Sequence, residues 1–116
     1  MPQTQTLNQN SDFRRIYKKG KSRVSPLLVT YAMKNRLAKV RVGFVSSKKI
    51  GKAVFRNRAR RVLRAAYRQC GIQVPPGWDV VFVCRTKTAF VKSTAVEPVM
   101  RRHLSELLPG GGKEPS

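Results

Sequence analysis

Phe13, Ile16 and Tyr17 fall at i, i+3 and i+4, so they share one side of a helix. Ser11 can cap this helix, and Gly20 can end it just after Lys19. The period then changes to two. After Pro26, Leu28, Thr30 and Ala32 alternate with Leu27, Val29, Tyr31 and Met33, which predicts a strand with two unlike faces. Lys34, Asn35 and Arg36 make a polar turn. A further strand follows, with Val40, Val42 and Phe44 on one face and Arg41, Gly43 and Val45 on the other. The short gap at 34–39 predicts that these two strands pair as an antiparallel hairpin. From about Lys52 to Gln69 the spacing is helical: Phe55, Ala59, Val62, Leu63, Ala66 and Cys70 lie within about a third of the circumference, and Gly71 can end the helix. Val74-Pro75-Pro76-Gly77 is a loop. Asp79 to Arg85 contains Val-Val-Phe-Val, a strand buried on both faces. A last helix spans roughly 95–108 through Val96, Met100, Leu104, Leu107 and Leu108. Pro98 fits only its first turn, so the helix should start close to it. The predicted order is α-β-β-α-β-α, with room for one more short strand near 20–25. Residues 1–10 and 109–116 read as flexible segments around a single domain at 11–108.

The chain has 116 residues, of which 41% are hydrophobic, enough for one core and one domain. No apolar run reaches the 18 or more residues of a membrane-spanning helix. The start, MPQTQTLNQN, lacks the apolar stretch of a secretory signal, so a cytoplasmic location is expected. Cys70 and Cys84 then read as free, small core residues. Two cysteines and one histidine, all far apart, do not make a zinc site.

Charge changes the picture most. Lys plus Arg is 25 against 5 Asp plus Glu, a formal charge of +20. No acid lies between Phe13 and Trp78, while 19 of the basic residues do. Folding forces these like charges together, at a cost that an external polyanion removes. Nucleic acid fits better than an anionic membrane surface. Membrane binding by charge usually adds an amphipathic helix with a free apolar face, and here the apolar faces are needed for the only core.

The helix at 52–68 carries Lys52, Arg56, Arg58, Arg60, Arg61, Arg64 and Arg68 and no acid. Its i,i+4 pairs Lys52–Arg56, Arg56–Arg60, Arg60–Arg64 and Arg64–Arg68 each cost a few tenths of a kcal/mol. Cations near its N-terminus also oppose the helix dipole. Bound phosphates would reverse the sign of both effects. Arginine's planar fork suits phosphate oxygens, and Asn57 adds a donor and acceptor for base edges or a 2′-hydroxyl. A second constellation is aromatic: Phe13, Tyr17 and Tyr31 can line one groove if the first helix lies beside the first strand. Rings among cations suit a single-stranded nucleic acid, although each ring taken singly also fits a core position.

A protein nuclease needs paired carboxylates for metals or a pair of histidines for acid–base work. Here His103 is the only histidine, the acids are scattered, and no Gly-rich phosphate loop exists. The residues alone read as an RNA binder with no catalytic set of its own. A structural RNA-binding protein of ribosomal type is the alternative. A DNA regulator would need dimer symmetry and a turn before its recognition helix, and neither is visible.

The stretch 42–68 resembles the signature of the bacterial ribonuclease P protein subunit. The shared frame is Lys48-Lys49-x-Gly51-x-Ala53-Val54-x-Arg56-Asn57-Arg58-x-Arg60-Arg61-x-x-Arg64. Asp12-Phe13, the Tyr31 strand and Asp79-Val80-Val81 extend the resemblance to roughly residues 7–108. It implies an α+β two-layer sandwich, α-β-β-β-α-β-α, with a left-handed β-α-β crossover, like domain 2 of ribosomal protein S5. It implies an accessory role in an endoribonuclease that removes the 5′ leader from precursor tRNA and whose catalyst is an RNA subunit with bound Mg²⁺. The protein would bind no cofactor, touch no membrane and need no obligate protein partner. Lys52, Arg56, Asn57, Arg58, Arg60, Arg61, Arg64 and Arg68 would contact the RNA subunit. Phe13, Tyr17, Tyr31, Lys48 and Lys49 would contact the leader. The chain departs from the family pattern in having no basic residue at 1–10, Tyr17 where Phe is common, and Arg60 where Lys is common.

Overall fold

The run Val80-Val81-Phe82-Val83 needs strand neighbours on both edges and cover on both faces, and the fold supplies all four. A computed structural model of the chain describes residues 4–6 and 10–109, with side chains from Ser11 onward apart from that of Lys48. The elements are β1 (Thr4–Thr6), α1 (Asn10–Lys19), β2 (Lys21–Val24), β3 (Leu28–Lys34), β4 (Val40–Val45), α2 (Ala53–Cys70), β5 (Trp78–Cys84) and α3 (Ser93–Leu107). Short 3-10 turns at Lys48–Ile50 and Thr86–Phe90 precede α2 and α3. The five-stranded sheet has the order β1-β4-β5-β3-β2.

The central place of β5 overturns the expected hairpin. β3 and β4 do not pair. β3 pairs antiparallel with β5 from Leu28–Cys84 to Lys34–Trp78, and β4 pairs parallel with β5 from Val40–Trp78 to Val45–Val83. The 35–39 segment therefore crosses two strand spacings, about 9–10 Å, within easy reach of five residues. It is tied to the start of β5. Asn35 N–H donates to the Gly77 carbonyl at 2.7 Å, and Gly77 N–H donates to the Lys39 carbonyl at 2.9 Å. The tight hairpin is instead β2–β3, and β2 is the additional strand for which the sequence leaves room. In its turn Ser25 Oγ accepts from the N–H groups of Leu27 and Leu28.

The polar start at residues 1–10 predicts a flexible segment. Thr4–Thr6 instead lie parallel to Val40–Val42, and Asn10 already belongs to α1. β4 would otherwise leave a row of backbone donors and acceptors unpaired, and β-branched threonines suit that edge. Residues 1–3, 7–9 and 110–116 of the expected flexible segments lie outside the described residues.

Helices α2 and α3 cover one face of the sheet. Ala59, Leu63, Ala66 and Cys70 of α2 and Val96, Met100 and Leu104 of α3 are buried there against Leu28, Ala32, Val42, Val80 and Phe82. Gly71, in the left-handed conformation at φ 67°, ends α2. α3 starts at Ser93, earlier than Pro98 suggests, and runs through the proline. Both Pro98 and Thr94 are exposed, so the carbonyl that Pro98 leaves unpaired faces water. Among the described residues, no helix is long and apolar enough to cross a membrane.

Among the described residues, α1 is the helix on the other face. Ile16 is fully buried against Val81, with Phe13, Tyr31, Met33, Val45 and Val83 half-buried around them. Gly20 permits the close turn from α1 into β2. A Cβ there would stand 2.6 Å from the Ile16 carbonyl oxygen, which instead accepts the Gly20 N–H at 2.8 Å.

One fully buried apolar side chain is a thin hold for a helix, and an ion-pair network adds to it. Asp79, 1% exposed, accepts from Arg41 Nε at 2.8 Å, Arg41 Nη2 at 2.6 Å and Asn35 Nδ2 at 2.6 Å. Asp12 on α1 lies 3.6 Å from Arg41 and 3.0 Å from Arg15, and Arg15 reaches Asp79 at 3.9 Å. Hydrogen bonding to Asp79 raises the Arg41 guanidinium above its ordinary value. Asp79→Asn keeps the shape and removes the charge. It is expected to cost about 2 kcal/mol and to lower the melting temperature by roughly 10 °C. An unchanged melting curve would show that this network does not hold α1 and the sheet together.

His103 of α3 is buried against β3, with Nδ1 2.9 Å from Thr30 Oγ1. Burial lowers its pKa, opposed by Glu106 and aided by Arg102 and Arg23. The folded state therefore favours neutral imidazole, whereas the unfolded chain takes up a proton near pH 6.5. This contribution to stability is complete above that pH and is lost as pH falls toward the lowered folded value. His103→Gln is expected to flatten the stability profile between about pH 7 and pH 5, as read by chemical denaturation; an unaltered slope would contradict it.

Candidate nucleic-acid interface

α2 forms because one stripe of its residues completes the core, and this leaves most of its circumference to cations. Lys52 is its N-cap residue, without a side-chain cap. The sequence places Asn57, Arg60, Arg61, Arg64 and Arg68 together opposite the core, and the structure sorts the set toward two sides. On the β4 side, Arg60 Nη1 donates to Ser46 Oγ at 3.0 Å and Nη2 donates to Asn57 Oδ1. Arg64 lies over the Phe44 ring, 5.7 Å from its centroid, and Phe44 stacks on Phe82. On the α3 side, Arg58 and Arg61 line a groove with Val54, Val62, Ala65 and Ser93. Arg68 and Lys52 are exposed, and Arg56 is half-buried.

No α2 cation has an acidic partner among the described residues. The described acids are engaged elsewhere: Asp12 and Asp79 by Arg15 and Arg41, Glu97 by Arg101, and Glu106 by Arg23. Arg15, Arg23 and Arg41 belong to the acid-free stretch, so its charge is relieved at those three points and nowhere along α2. Arg60 and Arg64 are oriented by neutral groups that leave their charge intact. The Asn57 carbonyl oxygen accepts from Arg60, and its amide N–H donors make no hydrogen bond among the described residues.

The aromatic residues come together as the sequence suggests. The Phe13 and Tyr17 rings lie 6.4 Å apart and nearly parallel at 16°, and the Tyr17 and Tyr31 rings lie 4.9 Å apart at 58°. Tyr17 is 40% exposed, and Phe13 and Tyr31 are half-buried. These rings are neither core nor free surface; they form the wall between α1 and the open part of the sheet. Burial, with Tyr31 adding to it, raises the Tyr17 hydroxyl pKa, so that group remains a neutral donor at neutral pH. Lys49 is exposed in the turn after β4. The side chain of Lys48 lies outside the described residues.

The structure adds residues that the spacing of rings and charges does not reveal. Met33, Val45 and Val83 join Phe13 and Tyr31 on the α1 face. Their signal is the period-two alternation, which marks a face but not what lies on it. Ser46 orients Arg60, and it directly follows Val45 of the groove face. The arginine surface and the aromatic groove therefore meet at the end of β4.

Few other groups offer chemistry. Cys70 and Cys84 are free, buried thiols, and burial pushes Cys84 up to about 12. Among the described residues no group of three or more His, Cys, Asp or Glu gathers into a metal-binding cluster.

Comparison with known proteins identifies the family of the chain. The family model described as Ribonuclease P matches residues 1–108. The ribonuclease P protein component of Clostridioides difficile (strain 630) is 45% identical over 86 residues, covering 73% of this chain and 75% of the relative. That of Dehalococcoides mccartyi (strain CBDB1) is 38% identical over 106 residues, covering 91% and 87%. Among solved structures, the Staphylococcus aureus RNase P protein superposes with a TM-score of 0.71 at 28% identity, covering 87% of this chain and 93% of that one. The Thermotoga maritima RNase P protein gives 0.68 at 30% identity, covering 89% and 94%. From α1 onward the helix–strand order α-β-β-β-α-β-α agrees with these structures. The chain therefore belongs to the ribonuclease P protein component family.

Proposed function

We propose that this chain is the accessory subunit of an RNA-catalysed endoribonuclease that removes the 5′ leader from precursor tRNA. The α2 surface, through Lys52, Arg56, Asn57, Arg58, Arg60, Arg61, Arg64 and Arg68, neutralises crowded phosphates of the catalytic RNA. That neutralisation lowers the Mg²⁺ the RNA needs to fold. The Mg²⁺ ions of the reaction sit on the RNA, and the protein supplies no catalytic residue. The groove of Phe13, Tyr17 and Tyr31, with Lys48 and Lys49, stacks bases of the single-stranded leader and adds binding energy to precursor over mature tRNA.

One observation carries the reading. A helix with six arginines and an N-cap lysine is held in a folded domain without an acid paired to any of them among the described residues, while acids pair with arginines elsewhere. Such a surface is complete only against a polyanion. Family membership supports the RNA of ribonuclease P as that polyanion and favours it over the ribosomal alternative. The test is reconstitution with catalytic RNA at a Mg²⁺ concentration where the RNA alone cleaves precursor tRNA slowly. Addition of the protein is expected to restore leader removal. No stimulation would refute the proposal.

A further inference from the structure

Phe90 is 65% exposed and Val54 is 61% exposed, the first at the end of the 3-10 turn before α3 and the second in the first turn of α2. The Phe90 ring rests on Phe55, with centroids 5.3 Å apart at 47°. This aromatic pair is not part of the groove described above: Phe55 packs on the α2–α3 side of the sheet, and the Phe13–Tyr17–Tyr31 rings lie on the α1 side. Phe55 and Arg58 are i,i+3 neighbours on α2, as are Arg58 and Arg61. Arg58 and Arg61, with Val54, Val62, Ala65 and Ser93, line an open surface groove of about 480 Å³, and Ser93 lies three residues beyond Phe90. No lining residue is acidic. Lys52, Lys87 and Lys92 add exposed cations on the adjoining segments.

An exposed ring packed on a second ring fits a protein side chain, a lipid tail or a nucleobase. The neighbouring charge selects among them: Arg58 and Arg61, without acidic partners among the described residues, suit an occupant that brings its own phosphates. We propose that Phe55 and Phe90 form a second base-stacking platform. It receives one unstacked nucleobase of the RNA subunit while Arg58 and Arg61 hold the flanking phosphates. The inference rests on the proposed function, and it assigns to the α2 side a contact of shape and stacking where charge alone would give only phosphate binding. Each stacked base contributes enough that loss of a ring lowers affinity about 5- to 150-fold.

The test uses the full chain with the catalytic RNA, by equilibrium binding without tRNA and with precursor or mature tRNA present. Phe90→Ala is expected to weaken binding of the RNA subunit by that factor and to leave the precursor-to-mature ratio unchanged. Phe90→Trp is expected to restore affinity. Phe90→Leu, apolar but unable to stack, is expected to retain most of the loss. Exposure of Phe90 keeps all three variants folded, which circular dichroism checks. Wild-type affinity in Phe90→Ala, or full recovery in Phe90→Leu, would overturn the platform alone. Failure of the wild-type chain to bind the RNA would overturn the proposed function as well. If Phe90→Ala leaves affinity for the RNA intact, and the wild-type chain but not the variant self-associates in sedimentation, the surface is a protein contact and the nucleobase proposal is wrong.

Discussion

Raising salt from 50 to 200 mM is expected to weaken binding of the catalytic RNA by about 10³- to 10⁵-fold, the response of a protein that meets roughly 6–10 phosphates. The six arginines of α2 and its N-cap Lys52 supply most of that number. Arg56, Arg58, Arg61 and Arg68 make no side-chain hydrogen bond or ion pair among the described residues, so their replacement by Gln removes charge without breaking an internal contact. The fourfold variant is expected to lower the slope of log affinity against log salt by about 0.9 for each phosphate it no longer neutralises. Its folding stability should hold or rise, because the repulsive pairs Arg56–Arg60 and Arg64–Arg68 are relieved. Filter binding over a salt series measures the slope, and thermal melting measures the stability. A flat salt response in the wild type, or an unchanged slope in the variant, would contradict an interface made of phosphates.

Loss of the aromatic wall should produce a different signature. Phe13→Ala with Tyr31→Ala is expected to weaken the holoenzyme's hold on precursor tRNA by at least about 30-fold, from two stacked bases at roughly 1 kcal/mol or more each. Mature tRNA, which has no leader to stack, should bind as before. Tyr31→Phe keeps the ring and is expected to stay close to wild type. The two variants separate stacking from the hydroxyl, and the two tRNAs separate the groove from the arginine surface. Equal losses for precursor and mature tRNA would show that the rings support the fold and not the leader.

The sequence makes α2 legible because its period, its terminal Gly71 and its one-signed charge agree with one another. It makes the groove legible because Phe13 and Tyr17 share a helix face and Tyr31 sits on the odd side of β3. It misleads at Lys34–Lys39, where a short polar gap is the usual mark of a hairpin. Strand pairing is decided by a segment forty residues away: the uninterrupted Val80–Val83 run, with no polar face to expose, takes the centre and separates β3 from β4. The start of α3 is misplaced for a related reason, since an exposed Pro98 costs little when water can satisfy the freed carbonyl. Nothing in local spacing shows that Ser46 orients Arg60 or that Asp79 joins Arg41 and Asn35, because these contacts exist only after the strands are assembled. A signal for the latter was present in the isolated acid itself: one buried carboxylate in so basic a chain needs cations around it.

The account turns on whether α2 is completed by RNA. The most direct measurement is single-turnover leader removal by the catalytic RNA at low Mg²⁺, with the wild-type chain or with the Arg56, Arg58, Arg61 and Arg68 to Gln variant. The wild type is expected to stimulate cleavage and the variant, equally well folded, to fall back toward the rate of RNA alone, with part of the loss recovered by added Mg²⁺. Equal stimulation by the two proteins would contradict it.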